Sequence, residues 1–361
     1  MSAIDRADRG GLVVYRAAPG VDAIDEYCRR LVAALCAEGS QAYYVAGGLT
    51  AARRTAGAPP WILLQYNPFA YGRAGFAPGV VPDALALRHR TGAPLAVMVH
   101  EAWVDMDDIR STLIGTWQRL QLRSLLRFAD IVMTSSEALA AELGRGAVHV
   151  PVASTITPAA ASQEQARERL GLAEGLHVAL FGRGNPGRAL DYAERSIAAI
   201  AAAPCGRELT VLNLGADAPP VRAPAGVTVV TPGRRSPAEL SLWLSAGDML
   251  LLPFTDGVTT RRTTVMAALA HGRAVVGLHG PRTDRVLIEH PEALTLTPVG
   301  DHAALAAAAV QLAGDPGRLR RSGEAARRLY AERFDWPVIA RHVLSALEPL
   351  TAGHRALPEA A

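Results

Sequence analysis

The run from Pro253 to Leu278, PFTDGVTTRRTTVMAALAHGRAVVGL, restricts the fold more than any other stretch. LLLPF at Leu250–Phe254 is short and apolar throughout, as a strand buried on both faces must be. A polar loop, Thr255–Arg261, follows, and Gly257 permits a tight turn within it. The spacing predicts a helix from Arg262 to His271 that Gly272 ends, and AVVGL at Ala274–Leu278 reads as the next strand. Two buried strands joined through a helix imply a parallel sheet covered on both sides. Such sheets bind ligands beyond the carboxyl ends of their strands, where a helix N-terminus presents N–H groups suited to phosphate. Thr259, Thr260, Thr263 and Thr264 add hydroxyls there, and Arg261 and Arg262 add fixed positive charge. The loop reads as a diphosphate cradle. On this stretch alone, an ordinary strand–loop–helix with solvated arginines is the alternative.

The same alternation runs along the whole chain. Strands are predicted at Leu12–Tyr15, Gln41–Ala46, Trp61–Tyr66, Pro94–Val99, Ile131–Thr134 and Val148–Val152. A second series lies near His177–Phe181, Glu208–Asn213, Val227–Thr231, Met249–Pro253, Ala274–Leu278 and Ala293–Thr297. Helices are predicted between them, among others at Asp22–Glu38 and Ile109–Phe128. The 361 residues leave room for two domains. The expected fold class is α/β, with two doubly wound Rossmann-like domains facing across a cleft. The first is expected over 1–155 and the second over 163–335, joined by the small, polar, Pro158-containing stretch Ala153–Ser162. The last helices run from Asp301 to Leu350. Trp336-Pro337 interrupts them, and the segment 336–350 is expected to return to the first domain.

Composition removes several classes of function. No run of eighteen apolar residues occurs, so no membrane span is expected. MSAIDRADRGG lacks the apolar centre of a signal peptide. A formal charge of +3 gives no argument for nucleic acid. The chain contains no Lys, which excludes chemistry through a lysine Schiff base and leaves phosphate contacts to arginine and backbone. Cys28 and Cys36 are eight residues apart on one predicted helix, about 12 Å and too far for a disulfide, and Cys205 is solitary. That pattern fits a cytoplasmic protein.

Further candidates lie at predicted strand ends. Gly20 precedes the first helix and outlines another anion site, although taken alone a simple turn explains it better. The long, aromatic loop Asn67–Gly79 follows Tyr66 and offers a surface for a flat acceptor. His100 and Glu101 end the Pro94–Val99 strand. Arg110, Arg119, Arg123 and Arg127 on the next helix read as a solvated face, so any membrane association is peripheral at most. Asp105, Asp107 and Asp108 resemble a metal pair but read as an acidic helix start, and no metal is expected. The second half opens with FGRGNPGRAL, in which Gly182 and Gly184 admit a ligand close to the backbone. Arg183 and Arg188 flank that loop with bidentate phosphate donors.

Taken together, these motifs resemble the GT-B fold retaining glycosyltransferases, in particular the large family of bacterial glucosyl- and mannosyltransferases and sucrose-synthase relatives. The resemblance rests on PGVDAIDEYCRRLVAALCAEG, VMVHE, VPVAS, FGRGNPGR and FDWPVIARHVL, and covers nearly the whole chain. It implies metal-independent transfer of a sugar from a nucleotide sugar, such as a UDP- or GDP-hexose, to an acceptor hydroxyl with retention, and no cofactor. It assigns catalytic roles to His100, Arg183 and Arg188. It assigns donor binding to Gly20, Gly182, Gly184, Asp256, Gly257, Val258, Thr259, Thr260, Arg261 and Thr264, and the acceptor side to Tyr66, Asn67 and Glu101. One departure stands out. The family's paired glutamates fall on Thr259 and Ala267 here, so Asp256 is expected to take over the sugar contact of the first. A nucleotide-sugar 2-epimerase and a weakly catalytic sugar-nucleotide-binding partner subunit are the rival readings. The acceptor is a small molecule, a lipid-linked sugar or a glycan.

Overall fold

The computed structural model of the protein describes residues 10–17, 22–55, 57–144, 146–182, 187–204 and 206–354. The chain divides into two compact units, Met1–Pro151 with Trp336–Ala361, and Val152–Asp335.

Unit 1 contains β1 (Gly11–Val14), α1 (Ala23–Ala37), β2 (Ala42–Val45), α2 (Gly48–Thr55), β3 (Ile62–Tyr66), α3 (Pro68–Tyr71), α4 (Val80–Thr91), β4 (Leu95–Val99), α5 (Ile109–Leu126), β5 (Ile131–Thr134), α6 (Glu137–Leu143) and β6 (Val148–His149). Unit 2 contains α7 (Gln163–Leu170), β7 (Leu176–Phe181), α8 (Leu190–Ala202), β8 (Leu209–Leu214), β9 (Thr228–Val230), α9 (Pro237–Ala246) and β10 (Met249–Leu252). It continues through α10 (Thr263–Ala270), β11 (Ala274–His279), α11 (Arg285–Ile288), β12 (Leu294–Pro298), α12 (His302–Ala313) and α13 (Pro316–Arg333). The final helix, α14 (Trp336–His354), belongs to unit 1, where Trp336 packs on Tyr27 of α1 and Arg341 pairs with Glu38 at 3.1 Å.

Each unit is built on one six-stranded sheet, ordered β2-β1-β3-β4-β5-β6 and β12-β11-β10-β7-β8-β9, with every pairing parallel. Helices cover both faces, so the central strands are apolar along their length rather than alternating. All five residues of β3 and of β4 are buried, as are all four of β10. Local chemistry sets where helices begin. The carboxylate of Asp22 accepts the Ile24 amide at 2.9 Å, and Ser236-Pro237 with Glu239 closes a capping box before α9. Asp108, from the acidic trio, caps α5 by accepting the Ser111 amide at 2.8 Å.

The stretch expected as the interdomain linker is tied down by hydrogen bonds. The Val152 amide donates to Thr260 O at 3.1 Å, the Ser154 amide to the Tyr330 hydroxyl at 3.1 Å, and the Ala159 amide to Ser241 Oγ at 2.7 Å. Ala153 and Ser154 are buried. Small polar residues there satisfy a backbone that packs against unit 2, and the chain passes between units at Pro151–Val152. The helix whose arginines read as a solvated face, α5, also exposes Ile109, Leu113 and Leu120, whose spacing puts them on one face.

Candidate active site

In unit 2 the strand order reverses between β7 and its neighbour β10, because the chain leaves β7 toward β8 and returns to β10 on the other side. Loops leaving the carboxyl ends of two such strands diverge and open a crevice. Here the two loops are also stitched together. Ala189 N donates to Pro253 O at 2.8 Å, Thr255 N to Gly187 O at 3.0 Å, and Arg188 bridges to Phe254 in antiparallel fashion.

Arg188 is 7 % exposed. One of its amino groups, Nη1, donates to Gly182 O at 3.0 Å, while the other, Nη2, is buried without a hydrogen-bond partner among the described residues. Burial lowers its pKa to about 10, which leaves it charged at neutral pH. A buried cation with an unfilled donor calls for an anion. The helix α10 starts beside it: a Cβ added to Gly182 would stand 3.4 Å from Thr264 Cγ2. No side chain caps α10, so the first-turn amides of Thr263 and Thr264 have no acceptor within the helix and face outward with the positive end of its dipole.

The β10 loop turns at Gly257, where φ is +91° and a Cβ would stand 2.5 Å from Gly280 N. Only glycine fits that crossing. Arg262 lies over the Phe254 ring at 4.0 Å. Both Arg262 and Arg261 (3.6 Å) pair with the Asp256 carboxylate. Asp256, expected to face the sugar, is thus engaged by the loop's own arginines.

Val258, Thr259 and Thr260 differ from expectation in a second way. All three are buried beneath the loop. The Val258 amide donates to Leu278 O at 2.9 Å, and Thr260 gives both its amide (2.5 Å) and its hydroxyl (2.9 Å) to the carboxylate of Asp284. Backbone enclosed at that depth must be paired internally, so these two amides are not available as a phosphate cradle. The amides left without an acceptor within a helix are those at the start of α10. Asp284, itself fully buried, is the residue that shapes the loop, and nothing in the apolar pattern around it signals this.

Unit 1 gathers a second cluster at the carboxyl ends of β3 and β4. His100 Nε2 lies 2.7 Å from Gln65 Oε1, and the edge of the Tyr27 ring meets the imidazole at 5.3 Å. Burial lowers the His100 pKa to about 4, so the ring is neutral and donates from Nε2 to Gln65. Asn67 caps α3 through the Phe69 amide (3.0 Å) and donates to Glu101 at 3.4 Å. Tyr66 corrects the expectation of an acceptor-side residue. It is fully buried, accepts a hydrogen bond from Gln121 Nε2 at 3.1 Å and stacks on Tyr71, because adjacent strand residues point to opposite faces. Its neighbour Gln65 faces His100 instead. A glutamine at the end of the otherwise apolar WILLQY was the available signal. Gly20, Arg183 and Gly184 lie outside the described residues. Among the described residues, no group of three or more His, Cys, Asp or Glu side chains is placed to hold a metal ion, and no helix is long and apolar enough to cross a membrane.

Two parallel six-stranded Rossmann-like sheets in one chain, with loops of this kind at the strand ends, make up the GT-B fold. Among solved structures, sucrose-phosphate synthase from Thermosynechococcus elongatus shares the fold at a TM-score of 0.67 and 18% identity, covering 96% of this chain and 100% of that one. HepE of Anabaena, solved with UDP and glucose, does so at 0.63 and 16%, covering 95% and 99%. WaaG, a glycosyltransferase involved in lipopolysaccharide biosynthesis, does so at 0.58 and 14%, covering 94% and 98%. No protein-family model matches the chain, and no curated protein matches it by sequence.

Proposed function

We propose that the protein is a glycosyltransferase that moves a hexose from a nucleotide sugar to an acceptor hydroxyl, with retention and without a metal. The observation that carries this reading is Arg188. Its buried guanidinium has an unfilled donor beside the uncapped start of α10, at the switch point of a GT-B sheet. The donor's diphosphate is held by Arg188 and the Thr263 and Thr264 amides, and Arg261 and Arg262 add charge at the rim. Arg183 joins them by the motif it occupies.

The chemical demand fits this donor set. As the bond from the anomeric carbon to the diphosphate oxygen breaks, negative charge grows on that oxygen. Fixed donors stabilise it without reorganisation. In a retaining front-face displacement, the departing phosphate oxygen takes the acceptor's proton while the acceptor oxygen bonds to the same face of the anomeric carbon. His100, neutral and oriented by Gln65, serves as a positioning group, with Asn67 and Glu101 at the neighbouring strand end for the acceptor. Asp256 organises Arg261 and Arg262, so it acts on the donor through them.

Incubation with a panel of UDP- and GDP-hexoses tests this. Slow release of nucleoside diphosphate, with the released sugar first formed in the donor's anomeric configuration, is expected. A changed sugar with the diphosphate intact indicates an epimerase. Tight binding with neither outcome indicates a binding subunit.

A further inference from the structure

A recess of about 320 Å³ opens in unit 2 beside the residues that precede its strands. Arg207 lies before β8, Asp248 before β10 and Arg273 before β11, so this is the amino-terminal edge of the sheet. The loops at Gly182 and Asp256 leave the opposite edge. The helix α13 forms the outer wall. It approaches closely because Gly323 crosses Gly272, where a Cβ on Gly323 would stand 2.3 Å from Gly272 O. That contact brings Arg320 and Arg327, seven residues apart and on one helix face, over the recess.

Four arginines line the recess, Arg207, Arg273, Arg320 and Arg327, against the acids Asp248 and Glu324. Asp248 is already committed, since it accepts the His177 amide at 2.7 Å and pairs with Arg167 at 2.8 Å. Glu324 is exposed and 3.9 Å from an equally exposed Arg320, a separation at which an ion pair neutralises little. Arg207 and Arg273 are fixed by carbonyl oxygens. Arg207 donates to Ala313 O, and Arg273 donates to His271 O (2.8 Å), Ser245 O (3.2 Å) and Gly247 O (3.1 Å). Carbonyls hold a guanidinium in place but leave its charge uncancelled. Burial first, and then the nearby Arg327 and Arg167, act to lower Arg273 against the opposing pull of Asp248, and burial followed by Arg273 and Arg327 lowers His271 against its hydrogen bond to the Ala267 backbone.

From this geometry we infer that the recess is a second ligand site, which binds a small phosphate-bearing anion. Preset guanidinium forks match phosphate oxygens, and the volume suits a small molecule and excludes a helix or strand. Nothing in the glycosyltransfer reading uses these residues, so the two stand or fall separately.

The test is calorimetric titration of the full chain with inorganic phosphate, with pyrophosphate and with a hexose monophosphate. Two variants accompany it, Arg320→Gln/Arg327→Gln and Arg188→Gln. Both helix arginines are exposed, so the double variant keeps its fold, checked by circular dichroism. At least one probe is expected to bind at a site that Arg188→Gln leaves unchanged and the double variant weakens about tenfold or more, the effect of losing charge-assisted hydrogen bonds. Tighter binding of the hexose monophosphate names a sugar phosphate as the ligand, and tighter binding of the inorganic probes names free phosphate or pyrophosphate. Arg261→Gln replaces Arg188→Gln as the control if the latter does not fold. The inference is overturned if no probe binds at millimolar concentration, or if binding survives the double variant and is lost with the control.

Discussion

Replacing Arg188 should move stability and ligand binding in opposite directions. Its guanidinium is buried and, among the described residues, makes one hydrogen bond, to Gly182 O, and pairs with no carboxylate. Burial pulls its pKa down from the ordinary guanidinium value to about 10. At about 1.4 kcal/mol per unit, the desolvated charge destabilises the empty fold by about 3 kcal/mol. Folded and unfolded forms are both protonated below pH 10, so the penalty is fully present at neutral pH. It fades as pH rises through 10, where the folded form releases its proton first. Arg188→Met keeps an unbranched stem as far as the position of Nε, removes the charge and gives up a hydrogen bond worth about 1 kcal/mol. The net expectation is a variant about 1–2 kcal/mol more stable, melting a few degrees higher. Binding should fall, because the charge-assisted contacts to the diphosphate are lost: about 1.5–3 kcal/mol, or about 10- to 150-fold in Kd for UDP or GDP. Calorimetric melting at pH 7 and isothermal titration with each nucleotide measure the two arms. A variant that melts lower and binds nucleoside diphosphate as tightly as the parent would refute the reasoning, making Arg188 a structural strut.

Other perturbations follow from the same geometry. His100 and His271 are both lowered to about 4 by burial, so the unfolded chain binds protons that the folded one refuses between about pH 6.5 and 4. Stability should drop across that window by up to about 3 kcal/mol per residue, and His271→Gln should flatten the fall in melting temperature. Asp284→Ala strands the amide and hydroxyl of Thr260 in the core and should cost about 2–4 kcal/mol in denaturant unfolding, with Asp284→Asn costing less. Asp256→Asn removes the counter-charge of Arg261 and Arg262, so UDP and UDP-sugar should bind more tightly and to the same degree. A selective loss of the sugar nucleotide in a competition assay would return the carboxylate to the sugar. The exposed Ile109, Leu113 and Leu120 face of α5, with its arginines, should give salt-sensitive sedimentation with anionic vesicles and none with neutral ones.

Sequence alone determined the elements and their kind. Short apolar runs such as WILLQY and MLLL can lie only in a sheet covered on both faces, and periodic helices between them force parallel pairing. It also located the loops that carry Gly182, Arg188 and Gly257, because glycine and arginine after a buried strand are conspicuous. Tertiary structure decided what those loops present. Strand order put β7 beside β10 and joined loops some seventy residues apart in sequence. The pairing of buried backbone consumed the Val258 and Thr260 amides and left the partly exposed start of α10 without a cap. Asp256 went to Arg262 rather than to a sugar, and Tyr66 went to the core while Gln65 went to His100. The recess ringed by Arg207, Arg273, Arg320 and Arg327 is invisible in sequence for the same reason. Its charges come from three separate places in the chain, the turns before β8 and β11 and the helix α13, and only the closeness of Gly272 to Gly323 brings them together.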